Sequence, residues 1–240
     1  MVKLRIGTAG MPASTKPRNS LNGIKRIHEL GLDHMELEFV RGVRMGAETA
    51  EAIGALAKRK DVSLTVHAPY YINLNSAEPE KIEASKDRIL NSARIGALAG
   101  AESVTFHPAY YHDDHPRRVY ERVLLHIGEI LAVMEEENLK IRLSPETTGS
   151  LSQFGTLEEL VQLGEDLPGV YPCLDFAHLY ARSLGKFNRY EDFAGALRLI
   201  AKKLGGQALQ KMHIHLSGIE YGPRGERRHL PLEETQLNYK

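Results

Sequence analysis

The sequence predicts an α/β fold with a parallel sheet. Short runs of β-branched and apolar residues alternate with amphipathic stretches of helical spacing, which is the pattern of βα units. Several of the apolar runs end in a histidine or a carboxylate, and in (β/α) barrels the functional side chains come from the carboxyl ends of the strands. The two observations together predict a TIM-type barrel with one site at its mouth.

Seven apolar runs are predicted to be strands: Lys3–Gly7, His34–Phe39, Ser63–His67, Ser103–His107, Lys140–Pro145, Tyr171–Asp175 and Lys211–Leu216. Between them, apolar residues recur at helical spacing, as in Ile82, Ile89, Ala93 and Ala97, or in Val119, Val123, Ile127, Ile130 and Met134. No further apolar run follows before Lys240, so we expect a barrel that lacks an eighth strand within these residues. The chain has no Pro/Gly/Ser-rich linker and no low-complexity segment, which favours a single domain over residues 1–240.

Composition narrows the class of protein. Hydrophobic residues make up 42% and charged residues 26% of 240 residues, and no apolar run approaches the length that crosses a bilayer. One cysteine, Cys173, excludes an internal disulfide framework and fits a reducing compartment, so a cytoplasmic location is expected. Lys and Arg together number 31, as do Asp and Glu. Any binding of nucleic acid would therefore need a local basic rim.

Two consecutive predicted strands end in histidine. His67 follows Leu64-Thr65-Val66, and His107 follows Val104-Thr105-Phe106 forty residues later. A single histidine in such a place is commonly an ordinary polar residue near the surface, but the repetition favours metal ligation. The next strand delivers Glu146, which is either a first-turn acid of the following helix or a bridging metal carboxylate.

Further candidate ligands follow in the last third of the chain. Asp175 and His178 are three residues apart where a strand gives way to a turn, so both can reach one cluster; a hydrogen-bonded Asp/His pair is the alternative. His213 and His215 point to the same side of one strand, and His215 is the better ligand because it is nearer the strand's end; His213 lies deeper, where a hydrogen-bonded core histidine is the alternative. His229 is predicted to lie in a loop.

These residues resemble the endonuclease IV family, the zinc-dependent apurinic/apyrimidinic endonucleases of the xylose-isomerase-like barrel superfamily. The resemblance runs from His67 to His229, about two thirds of the chain. Its most specific segments are His67-Ala68-Pro69-Tyr70-Tyr71-Ile72-Asn73-Leu74, His107-Pro108, Pro145-Glu146-Thr147-Thr148-Gly149 and Asp175-Phe176-Ala177-His178.

The resemblance implies a cluster of two or three zinc ions, with manganese as the alternative ion. The implied ligands are His67, His107 and Glu146 for the first ion; Glu146, Asp175 and His215 for the second; and His178 and His229 for the third. Glu146 is implied as the catalytic residue, and Tyr70 and Asn73 as substrate-binding residues.

Two positions depart from the family pattern. The family has an aspartate two residues before the last histidine, where this chain has Arg227, with Glu226 one residue further away. The family also takes a glutamate from an eighth strand, which is not predicted here. A guanidinium cannot ligate zinc, so the third site needs Glu226 or water in its place.

The activity that the resemblance implies is hydrolysis of a DNA phosphodiester 5′ to an abasic site, with damaged double-stranded DNA as partner. An imidazole-rich donor set suits zinc better than magnesium. Contacts to DNA are expected from a set of arginines: Arg41, Arg44, Arg117, Arg118, Arg182, Arg224, Arg227 and Arg228.

Two other functions remain open. The first is a metal-dependent sugar isomerase or epimerase of the same superfamily, for which Glu36 and Glu38 on the second strand would supply carboxylates. The second is a relative that binds metal or DNA without turnover.

Overall fold

The structure is a computed structural model, and it describes residues 3–240. Strands and helices alternate along most of these residues, as the sequence predicts. The strands are β1 (Gly7–Ala9), β2 (His34–Glu38), β3 (Ser63–His67), β4 (Ser103–Phe106), β5 (Ala109–Tyr110), β6 (Arg142–Pro145), β7 (Gln153–Phe154), β8 (Cys173–Asp175), β9 (His213–His215), β10 (Gly218–Gly222) and β11 (Gly225–Leu230). The helices are α1 (Ser20–Glu29), α2 (Ala47–Lys60), α3 (Pro79–Leu98), α4 (Pro116–Glu136), α5 (Leu157–Asp166), α6 (Phe176–Arg182), α7 (Tyr190–Leu204) and α8 (Gly206–Lys211), followed by a 3₁₀ turn at Leu232–Glu234.

The largest sheet has the strand order β1-β2-β3-β4-β6, and the pairs β1/β2, β2/β3 and β3/β4 are parallel. Parallel pairing needs a crossover, and α1, α2 and α3 lie between successive strands of this sheet. The strands β8 and β9 form a second parallel pair. The α/β class with a central parallel sheet, predicted from the alternation, is confirmed.

The first predicted strand was wrong in its bounds, since β1 covers Gly7–Ala9 rather than Lys3–Gly7. The ladder starts where β2 starts, with Gly7 opposite His34. Just before it, the Ile6 amide donates to the Asp33 carboxylate instead of to a strand. An apolar run shows where a strand is near, but the partner strand decides where pairing begins.

His229 lies on a strand, so its predicted placement in a loop was wrong. The strands β10 and β11 form an antiparallel hairpin, with Ile219 opposite His229. The hairpin is tied to the segment after β6 by a bridge between Ser150 and Gly225 and by the Glu226 amide, which donates to the Gly149 carbonyl at 3.0 Å. These contacts fix the position of His229.

Two compact units can be distinguished by the density of their internal contacts. Among the described residues, the first comprises residues 3–72, 83–106 and 129–143, and the second comprises residues 73–82, 107–128 and 144–240. The second unit has its own apolar core, in which α5, α6, α7 and α8 contribute side chains, joined by others such as Leu174 of β8. The single domain over residues 1–240 stays a prediction. Within residues 3–240, every helix is too short or too polar to span a bilayer.

Candidate metal centre

A buried carboxylate, Glu146, is held between two histidines of the second unit. Its Oε2 lies 2.9 Å from Nε2 of His107, and its Oε1 lies 2.6 Å from Nδ1 of His215. The Glu146 side chain is almost fully buried, with 1% of its surface exposed, while the two histidines are half-buried. The two rings bring imidazoles to both oxygens of one carboxylate.

Local backbone pairing places these side chains. Glu146 follows the last residue of β6 and forms a parallel bridge with Cys173, the first residue of β8. In the β8/β9 pair, Asp175 stands opposite His215. The Thr147 hydroxyl accepts a hydrogen bond from the Asp175 amide at 2.9 Å, which locks the end of β8 to the segment after Glu146. Three strand ends therefore deliver Glu146, Asp175 and His215 to one place.

Asp175 and His178 are fixed by the start of α6. Asp175 is the N-cap residue of this helix, and its Oδ1 accepts a hydrogen bond from the His178 amide at 2.8 Å. The His178 ring donates from Nδ1 to the Thr147 carbonyl oxygen at 2.7 Å. A backbone carbonyl on one ring nitrogen orients the other toward a ligand, which is the arrangement that metal-binding histidines commonly have.

The Nε2 atoms of His178 and His229 face each other at 3.3 Å, and Glu226 lies beside both. Its Oε2 is 3.3 Å from Nε2 of His178, and its Oε1 is 3.6 Å from Nε2 of His229. The His229 ring is held on its other side by Ser217, whose hydroxyl lies 2.7 Å from Nδ1. Glu226 thus supplies a carboxylate where Arg227 could not.

A β-bulge explains why Glu226 can stand on the same side as His229. In the β10/β11 hairpin, Arg228 pairs with Glu220 but Glu226 pairs with Tyr221, so Arg227 is the extra residue. A bulge changes the alternation of side chains and can redirect one of them. Because the bulge adds one residue, Glu226 and His229, three residues apart, lie on the same face, as residues two apart do in a regular strand.

Gly149 makes room for this carboxylate. A Cβ atom at Gly149 would lie 2.7 Å from Cβ of Glu226 and 3.0 Å from Cδ2 of His178. Contacts between carbon atoms this short are repulsive. The glycine that ends the Pro145-Glu146-Thr147-Thr148-Gly149 segment is thus required by the close approach of the hairpin.

Opposite charges dominate the electrostatics of the cluster. Burial alone would raise the pKa of Glu146, but the imidazoles of His215 and His107 outweigh it and hold this pKa well below its usual range. Burial alone would lower the pKa of His178, but Asp175, Glu226 and Glu146 together raise it to about 10. The His178 imidazolium also contributes to lowering the pKa of Glu226 against the effect of burial. Carboxylates on several sides thus favour the charged form of the His178 ring.

Several groups of these side chains could hold a metal ion, because their donor atoms lie within 4.8 Å of one another. One group is Glu146, Asp175 and His215, and another is Asp175, His178 and His229. Imidazoles combined with a few carboxylates fit zinc in number and type. The donor set therefore fits the ion that the sequence resemblance implies.

The remaining predicted site residues are placed as follows. His67, the last residue of β3 in the first unit, donates from Nδ1 to the Ala68 carbonyl oxygen, and its ring lies 5.6 Å from that of the exposed Tyr70. Asn73 is half-buried and organises a turn, since its Oδ1 accepts hydrogen bonds from the amides of Asn75 and Tyr110. The roles of His67, Tyr70 and Asn73 stay predictions from the sequence.

Arg182 is engaged inside the fold. Its guanidinium donates to the carbonyl oxygens of Ser150 and Gln153, at 2.6 and 2.9 Å, and to the Thr148 hydroxyl at 3.1 Å. These bonds hold the loop that carries Gly149. Of the arginines predicted to contact DNA, this one has a structural role instead.

Three residues that shape this centre are not indicated as such by the sequence: Glu226, Ser217 and Thr147. Glu226 is close to His229 in sequence, which suggests that both could bind one ion. A separation of three residues, however, puts the two side chains on opposite faces of a regular strand. Ser217 contacts His229 and the Thr147 carbonyl accepts from His178, and neither contact can be read from a local motif because the partners are far apart along the chain.

Comparison with known proteins identifies the family of this chain. Residues 24–240 match the family model described as a xylose isomerase-like TIM barrel. The chain belongs to this family. An uncharacterized protein of Methanocaldococcus jannaschii is 42% identical over 239 residues, which are 100% of this chain and 85% of that protein.

Relatives with a named activity are more distant. A probable endonuclease 4 of Oceanobacillus iheyensis is 28% identical over 170 residues, 68% of this chain and 55% of that protein, so the chain matches about half of its length. The endonuclease IV structure of Thermus thermophilus aligns with a TM-score of 0.71 at 23% identity, over 95% of this chain and 83% of that one. The structure of D-psicose 3-epimerase from Clostridium cellulolyticum aligns with a TM-score of 0.66 at 16% identity, over 88% of this chain and 73% of that one. Both structures support the fold alone.

The raised pKa of His178 predicts how stability depends on pH in chelator-treated protein. The folded-state pKa of about 10 lies above the usual value of 6.5, so the stabilisation from the charged ring is full below about 6.5 and is lost as the pH rises toward 10. We expect the free energy of urea unfolding to fall over this range, and the variant His178→Gln to show a weaker fall. Equal declines in both proteins would contradict the assignment of this pKa.

Proposed function

We propose that the protein is a zinc-dependent endonuclease of the endonuclease IV type that hydrolyses a DNA phosphodiester 5′ to an abasic site. The observation that carries this proposal is Glu146, a buried carboxylate with one histidine on each oxygen and Asp175 in the same group of donors. The partial match to curated proteins named probable endonuclease 4 supports it.

In this proposal the chain's own residues hold and orient the ions. Glu146 would hold two of them, with His107 on one side and His215 on the other, and the hydrogen bond from His178 to the Thr147 carbonyl sets the direction of that ring. Zinc bound there would activate water near neutral pH and offset the negative charge on the phosphorus. His67 completes the first set of ligands, as the family resemblance implies.

The carboxylate of the third set of ligands is assigned to Glu226. Its two oxygens face Nε2 of His178 and Nε2 of His229, which are the atoms that the Thr147 carbonyl and the Ser217 hydroxyl leave available. Arg227 instead lies 3.3 Å from the Glu220 carboxylate and is exposed. Glu226 therefore takes the place of the aspartate in the family pattern.

DNA binding is proposed for exposed aromatic and basic groups. Tyr70 and Tyr71 expose 57% and 69% of their surfaces, which suits them for contact with a base or a sugar displaced from the stack. Arg117, Arg118 and Arg228 are exposed as well, although each is paired with an acidic neighbour. Such pairs are weak enough at a surface to exchange for phosphates.

A second candidate function is a metal-dependent sugar epimerase. The fold likeness to D-psicose 3-epimerase favours it, and Glu36 on β2 is a buried carboxylate 3.3 Å from the Thr65 hydroxyl. Incubation with ketoses in deuterated water distinguishes the two functions. Entry of deuterium into the sugar would support the epimerase, and strand scission of abasic DNA would support the nuclease.

Incision of abasic DNA should depend on both zinc and Glu146. We expect protein loaded with zinc to cleave an end-labelled duplex 5′ to its single abasic site, and protein stripped by a strong chelator to be inactive until zinc is restored. The variant Glu146→Gln should lose at least about 10²-fold in rate, because the bridging charge is gone. Its folding is checked by circular dichroism.

The control for this variant is Glu158→Gln, the same change at an exposed position in the first turn of α5. It should retain the incision rate. Full activity in Glu146→Gln, or no cleavage by protein with zinc demonstrably bound, would overturn the proposal.

Glu226 and Arg227 can be compared directly by metal content. We expect Glu226→Gln to retain one zinc ion fewer per chain after dialysis, because an amide is a much weaker ligand than a carboxylate. Arg227→Ala should retain as much zinc as the unchanged protein. Mass spectrometry under non-denaturing conditions counts the ions; equal loss in both variants, or loss in Arg227→Ala alone, would refute the assignment of Glu226.

A further inference from the structure

A second group of metal-binding side chains lies on the same two strands as part of the candidate centre. Cys173, His213 and His215 each offer a donor atom, and these atoms lie within 4.8 Å of one another. Neither Cys173 nor His213 belongs to the ligand set that the sequence resemblance implies. We propose that these three side chains form an additional site for a thiophilic divalent cation, with zinc as its natural occupant.

Strand register puts the three donors together. In the parallel β8/β9 pair, Cys173 stands opposite His213 and Asp175 stands opposite His215. Side chains two residues apart on a strand share a face, so Cys173 lies on the face of Asp175, and His213 lies on the face of His215. The face carries two rows of donors, about 7 Å apart along the strands.

The geometry is close to what zinc requires. Donor atoms around a tetrahedral zinc lie roughly 3.5 Å apart, given metal distances of about 2.0–2.1 Å to nitrogen and 2.3 Å to sulfur. The donor atoms of the three side chains lie within 4.8 Å of one another, so they must approach by on the order of 1 Å, which side-chain rotation supplies. The rings of His213 and His215 already meet edge to face, with centroids 4.6 Å apart.

The donor chemistry selects the kind of cation. A thiolate with two imidazoles favours zinc, cobalt or cadmium over magnesium or calcium, which prefer oxygen. Cys173 is fully buried, whereas His213 and His215 are half-buried, so the two rings are the solvent-accessible part of the site. Three protein donors leave a fourth coordination position open to water.

Sharing of His215 links this site to the Glu146 group. The Nδ1 atom of His215 lies 2.6 Å from the Glu146 carboxylate, and the same residue is a donor in the group with Cys173 and His213. A cation held by Cys173 and His213 therefore competes with the Glu146 group for His215. An excess of cadmium, which prefers sulfur, should weaken metal binding by the Glu146 group.

Cobalt titration of the full chain tests the site, because a thiolate bound to cobalt gives a charge-transfer band in the near ultraviolet. The chain has a single cysteine, so such a band can come only from Cys173. We expect the band to appear before or at saturation in the unchanged protein. Absence of the band at saturation would overturn the proposal, whatever the outcome of the incision assay.

Variants identify the partners of Cys173. The band should vanish in Cys173→Ser and fall strongly in His213→Ala, which keeps the cysteine and so tests the histidine separately. The matched control is His229→Ala, which removes a histidine of the group with Asp175 and His178 and should keep the band. A band of unchanged intensity and affinity in His213→Ala would show that this histidine is not a ligand and would refute the three-residue site.

Discussion

The burial of the Glu146 carboxylate is the constraint on which the rest of the centre depends. An ionised carboxylate with 1% of its surface exposed loses its hydration, and hydrogen bonds, opposite charge or a metal must replace that stabilisation. His107 and His215 supply it in the structure, at 2.9 and 2.6 Å. Removing a partner of such a group is costly, so His107 and His215 are fixed relative to Glu146 within the second unit.

The hairpin of β10 and β11 depends on the same segment of chain. Gly149 accepts the Glu226 amide at its carbonyl and has no Cβ to obstruct the Glu226 side chain. Arg182 holds the neighbouring loop through the carbonyl oxygens of Ser150 and Gln153. The bulge at Arg227 then turns Glu226 toward His178. One short segment after β6 therefore carries Glu146 and positions the Glu226 carboxylate of the hairpin.

The sequence predicts the α/β class and the placement of donors at strand ends because both are local patterns. It does not predict the hairpin, because β11 carries Glu226, Arg227, Arg228 and His229 in a row, with no alternation of apolar and polar residues. The role of Glu226 depends on register, which only the partner strand defines. The predicted start of β1 at Lys3 is wrong for the same reason, because pairing with β2 begins only at Gly7. Cys173 is recognised as a lone cysteine, but its neighbour His213 comes from another strand forty residues later.

Anomalous X-ray scattering at the zinc absorption edge, from crystals of zinc-loaded protein, tests most directly whether Glu146 organises a metal centre. We expect a peak on each side of Glu146, one toward His107 and one bounded by Asp175 and His215, and a further peak bounded by His178, His229 and Glu226. A map without a peak beside Glu146, in which its oxygens still contact His107 and His215 directly, would contradict it.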